Sequence, residues 1–154
     1  MKSNRGQHIP ANIVIATTIT AIDAAIFASP TAIITGLSCF VTELWAWPDR
    51  DIEHKRKGVC FLDHWYWLAY ERLIPYHRHP LSHSLLPGLI LRLVWGFWPL
   101  TIPAMDAVIH VENLSLLLSW MPIAARAIVG AIASDCTHYA LDGYGPYQWL
   151  LGKK

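Results

Sequence analysis

Four long, predominantly apolar stretches set the limits on what this chain can fold into. They run from about Ile9 to Ala28, Thr31 to Trp47, Leu85 to Met105 and Leu114 to Leu141. None shows a useful run of strand-like alternation, so the sequence predicts helices throughout. Ser29 and Pro30 separate the first two stretches and suit a tight hairpin. The third contains Pro87, Gly88, Pro99 and Pro103. Charged residues make up only 15 % of the chain, against about a quarter in an average soluble domain. The expectation is a single all-α domain over residues 1–154: a membrane-embedded bundle of about four helices.

The stretch from Pro48 to Pro80 is polar, and its middle, 60–76, reads CFLDHWYWLAYERLIPY. Aromatic residues on one side and Asp63, Glu71 and Arg72 facing water predict an amphipathic helix at the interface. An ordinary surface helix is the alternative.

A spanning helix needs roughly 20 mostly apolar residues. Only Ala24 to Thr42 is uncharged for that long, and it contains Pro30; Asp23, Arg92 and Arg126 interrupt the other stretches. A soluble protein with buried helices meets the same pattern. Lysine and arginine decide between them. With the N-terminus inside, Lys2 and Arg5, then Arg50, Lys55, Arg56, Lys57, Arg72 and Arg78, then Lys153 and Lys154 all lie on the inner side. The two outer turns, near Ser29 and from Asp106 to Asn113, carry neither residue type. Four crossings satisfy the positive-inside rule at every loop. This predicts an integral protein of a bacterial-type inner membrane, with both termini cytoplasmic and the lipid bilayer as partner. Lys2 and Arg5 before an apolar run resemble a signal peptide, but Asp23 and the second run favour a retained segment. A net charge of +1 indicates no nucleic-acid partner. Cys39, Cys60 and Cys136 are too scattered for a disulfide framework or a zinc knuckle.

That topology places seven of the eight histidines on the inner side, all except His110. Asp135, His138 and Asp142 lie at i, i+3 and i+7, on one stripe of a helix. The segment Tyr76 to Ser84, YHRHPLSHS, offers His77 and His83, with Pro80 suited to a helix start and His79 to a cap or supporting role. Asp49 and Asp51 follow Pro48 at the inner end of the second stretch, and His8 opens the first. The candidate metal ligands are therefore His8, Asp49, Asp51, His77, His83, His138 and Asp142, more than one zinc requires. One or two divalent ions fit, and mixed histidine and carboxylate ligation without thiolate suits Zn first, then Mn or Fe. Counting along the helices puts Arg126 roughly 18 Å from His138 and Asp23 roughly 22 Å from His8. Asp23 is thus expected to pair with Arg126 or Arg92.

These clusters, in this order, resemble the YdjM-like membrane-bound metal-dependent hydrolases. They resemble more closely a sister family of membrane metal-binding proteins. The matching residues are His8, the Pro-Asp-x-Asp motif at Pro48 to Asp51, the His-Arg to Ser-His motif at His77 to His83, and His138 with Asp142. The interval from His77 to His83 is one residue longer than the usual YdjM-like pattern, which favours the sister family. The resemblance implies an integral membrane protein that binds metal. Hydrolysis of a phosphoester, a lipid headgroup among the candidates, would use Asp51 or Asp135 as general base and Arg78 to hold an anionic group. The alternative is a non-catalytic protein whose ion ties helix ends together.

Overall fold

The computed structural model describes residues 5–46, 48, 61–74, 76, 79–109 and 114–143. Among these the chain is all helical: α1 (Arg5–Phe27), α2 (Ile33–Trp45), α3 (Phe61–Leu73), α4 (Pro80–His83), α5 (Pro87–Ile109) and α6 (Leu114–Leu141), with a 3₁₀ turn at Pro30–Ala32. The four apolar stretches correspond to α1, α2, α5 and α6, with ends shifted by a few residues.

The first hairpin forms where expected. Ala28 takes a positive φ of 46° and ends α1, its N–H still bonded to the Ala24 carbonyl at 2.9 Å. Ser29 Oγ then accepts from Thr31 N at 3.3 Å, capping the 3₁₀ turn. The chain reverses, and α2 packs on both α1 and α6. Two glycines allow that approach. A Cβ on Gly36 would stand 2.0 Å from Thr20 Oγ1 of α1, and one on Gly130 would stand 2.1 Å from the Thr35 carbonyl oxygen of α2.

Two prolines lie inside α5, and the structure shows how one is accommodated. Pro99 has no N–H, so the Trp95 carbonyl one turn earlier loses its helical donor. The Tyr66 hydroxyl of α3 donates to that oxygen at 2.7 Å. Trp45 Nε1 of α2 donates to the neighbouring Gly96 carbonyl at 2.8 Å. Burial raises the Tyr66 pKa, which keeps the phenol protonated as a donor. Around these bonds Trp67, Tyr70, Ile74 and Ala46 form a buried cluster, with Trp45, Tyr66, Leu91, Trp95 and Phe97 against it.

The expectation for α3 needs one correction. Arg72 is exposed as expected, but Glu71 is buried. Trp67, Tyr70, Glu71 and Ile74 fall at i, i+3, i+4 and i+7, a single helical stripe, and that stripe faces the protein. Asp63 has no described side chain.

Polarity is inverted relative to an ordinary soluble bundle. His8, Asn12, Asp23, Thr35, Glu43, Arg92, Asp135 and His138 are buried. Val14, Ile26, Leu37, Ile90, Val94, Leu118 and Val129 are among many large apolar side chains turned outward. Only α1, over His8–Phe27, is by itself long and apolar enough to cross a membrane among the described residues.

Candidate metal centre

The centre is built from the two ends of the chain. His8 lies in the first turns of α1. His138 lies in the last turn of α6, and Asp142 follows in the turn after it, its N–H bonded to the His138 carbonyl at 3.0 Å. The i, i+4 spacing puts both side chains on one face, and the antiparallel run of α1 beside α6 brings His8 to it.

One ligand atom from each of His8, His138 and Asp142 lies within 4.8 Å of the others, a group that could hold a metal ion. His8 Nε2 is 3.6 Å from Asp142 Oδ1, and His138 Nε2 is 3.6 Å from Asp142 Oδ2. Those separations exceed hydrogen-bond length. They are a few tenths of an ångström longer than the spacing around a shared ion, since two donors each bonded at 2.0–2.1 Å in a tetrahedron stand about 3.3 Å apart. The two imidazoles lie side by side, with ring centroids 4.3 Å apart and planes tilted by 40°. His8 and His138 are both buried, so their field is weakly screened by water.

His83 stands next to this group, its ring centroid 6.5 Å from that of His138. It occupies α4, a separate single turn, and not the first turns of α5. Ser82 Oγ donates to the His79 carbonyl at 3.0 Å and lies 2.8 Å from His83 Nδ1. The Ser82 contact at Nδ1 orients the His83 ring, whichever of the two atoms donates. His79 is the N-cap of α4, its Nδ1 accepting from Leu81 N at 3.1 Å.

Asp135 does not join the group. It lies seven residues, about 10 Å along the helix axis, below Asp142. Its carboxylate is paired with Arg92 of α5, and both side chains are fully buried. Arg92 also donates through Nε to the Ala46 carbonyl at 3.0 Å and through Nη1 to the Ser82 carbonyl. One guanidinium therefore ties the end of α2, the turn carrying His83 and the helix carrying His138. Arg92 is therefore not the partner of Asp23. Asp23 pairs instead with Arg126, the other expected choice, Nε to Oδ2 at 3.0 Å.

A second feature was missed. One turn deeper than His8 and His138, Asn12 and Ser134 converge on Glu43. Asn12 Nδ2 donates to Glu43 Oε2 at 2.8 Å, Ser134 Oγ lies 3.5 Å from the same oxygen, and Cys39 Sγ donates to Asn12 Oδ1 at 3.3 Å. An acid inside an apolar stretch is the signal that marks Glu43 in the sequence. Asp49, Asp51, His77 and Arg78 lie outside the described residues. No protein-family model matches the chain, and neither a curated protein nor a solved structure does.

Proposed function

We propose that this chain is an integral membrane protein that binds a divalent metal at its inner helix ends and uses it to hydrolyse a phosphoester near the membrane face. The observation that carries the metal reading is the convergence of His8, His138 and Asp142, from opposite ends of the sequence, on one buried point. His83, its ring 6.5 Å from that of His138 and oriented by Ser82, is the candidate fourth donor. The ion is Zn, with Mn or Fe as the next choices on ligand type. When bound, such an ion supplies Lewis acidity, which lowers the pKa of water and polarises a phosphoryl group. Asp135 serves through Arg92 as support for the ligand-bearing elements and not as the base. That leaves Asp51 as the candidate base and Arg78 as the candidate anion-holding group.

Support for the bilayer comes from the His8–Phe27 helix, the outward apolar surface with a polar interior, and the Lys and Arg distribution of the sequence. The inner-membrane location with cytoplasmic termini rests on that distribution. A second reading, a non-catalytic ion tying helix ends together, is favoured by the complete burial of His138 and near-complete burial of His8, since structural sites are closed.

Metal analysis of detergent-purified protein tests the first claim. One or more equivalents in the wild type, lost in both His8→Ala and His138→Ala, is the expected result. Full retention in both variants overturns the shared centre. Turnover of bis(p-nitrophenyl) phosphate that vanishes with the metal separates the hydrolase from the structural ion.

A further inference from the structure

At the end of the bundle far from the metal centre, α1, α2 and α6 border a groove of about 680 Å³. Its walls are apolar, with Ile19, Ile22 and Ile26 from α1 and Val129 from α6. Its polar part is three side chains: Asp23, Thr35 and Arg126. Thr35 Oγ1 donates to Asp23 Oδ2 at 2.5 Å, and Arg126 Nε donates to the same oxygen at 3.0 Å. The Asp23 carboxylate is thereby fixed. Arg126 also lies over the Phe27 ring, 5.5 Å from its centroid.

Arg126 commits only its Nε to Asp23. Among the described residues nothing accepts a hydrogen bond from Nη1 or Nη2. The side chain is 15 % exposed and lines the groove. A guanidinium held on one edge and undirected on the other is a planar fork suited to a phosphate. The apolar walls suit an alkyl chain. On the membrane reading, depth fits the same ligand: Asp23 is one turn from Phe27, where the candidate span ends, which would put it near the level of the headgroups.

We propose that this groove holds one phospholipid, its phosphate on the Nη edge of Arg126 and an acyl chain along Ile19, Ile22, Ile26 and Val129. The lipid as source rests on the membrane reading given above; the phosphate contact does not. The site lies roughly 18 Å along α6 from His138, so it is separate from the metal centre.

The test is titration of the detergent-purified protein with dioctanoyl phosphatidylglycerol, followed by native mass spectrometry. Dioctanoylglycerol and inorganic phosphate serve as probes lacking the headgroup phosphate and the chains respectively. Two variants are compared. Asp23→Asn/Arg126→Gln removes the fork while keeping the interior neutral. Val129→Trp fills the groove at an exposed position without touching the ion pair. The wild type is expected to take one phospholipid per chain, with each variant weakened by at least about tenfold and its bound metal unchanged. Equal binding of dioctanoylglycerol, or either variant binding like the wild type while melting normally, overturns the proposal. Inorganic phosphate binding as tightly as the phospholipid overturns the lipid assignment. Release of the chain from membranes by alkaline carbonate would remove the membrane reading and leave this titration intact, so the two failures are distinguishable.

Discussion

Replacing Arg92 with methionine removes the one cation that joins three elements around the metal centre. Its loss leaves the Asp135 carboxylate buried without its counter-charge, a cost of about 3–5 kcal/mol. It also strips a donor from the Ala46 and Ser82 carbonyls, at about 1 kcal/mol each. For a chain of this size the total, about 6 kcal/mol, corresponds to a melting shift of roughly 18 °C. The double variant Arg92→Met/Asp135→Leu removes both charges and keeps only the carbonyl losses, so it is expected to cost about 2 kcal/mol. The double variant should therefore be more stable than Arg92→Met alone. The effect should reach the metal as well. Ser82 precedes His83, and Asp135 lies one turn before His138, so losing Arg92 loosens both. Removing support of this kind lowers metal affinity by about 10–100-fold. Thermal melts in detergent and competition with a chromophoric chelator read the two effects. Arg92→Met with wild-type melting and wild-type affinity would refute the reasoning, as would a double variant no more stable than Arg92→Met alone.

Other outcomes follow from the same geometry. His79→Ala should lose only a helix cap, about 1 kcal/mol, and keep its metal, whereas His8→Ala and His138→Ala should lose metal; elemental analysis and melting curves separate the three. Chelation with EDTA should destabilise the fold by about 4 kcal/mol if the ion is present at a thousand times its Kd, read as a lower melting temperature; an unchanged melt would mean that no ion stabilises the fold. Gly130→Ala should destabilise by about 1–3 kcal/mol, because its Cβ would stand 2.1 Å from the Thr35 carbonyl oxygen, and calorimetry in detergent checks it.

The helices were legible because apolar runs need no partner to be recognised. So was the half-site on α6, since His138 and Asp142 are neighbours in sequence and an i, i+4 pair shares a face wherever the helix lies. Depth alone, from the rise per residue, narrowed the partner of Asp23 to Arg126 or Arg92, and the structure pairs it with Arg126. Asp135 was the misleading residue. It shares a stripe with Asp142, but a stripe fixes direction around the axis and not distance along it. Two helical turns put it beside α5, where Arg92 takes its charge. Arg92 itself could not be assigned from the sequence, because two of its three partners are backbone carbonyls, which any residue supplies.

Glu43 shows what periodicity leaves out. A lone acid in an apolar stretch announces a buried partner without naming it. Here the partner is Asn12, one turn beyond His8 on α1, and Ser134, one turn before His138 on α6, lies close by. The two ligand-bearing helices, α1 and α6, therefore meet α2 through polar contacts one layer below the metal centre. Such contacts between helices resist sliding better than apolar packing, because a shift of one turn would leave a buried carboxylate without its donor. The register that Glu43 imposes on α1 and α6 is the register that brings His8 to His138. On this view the metal does not have to assemble the helices. It binds ends that the layer beneath has already aligned, and Glu43→Leu should cost metal affinity even though Glu43 is placed below the ligands.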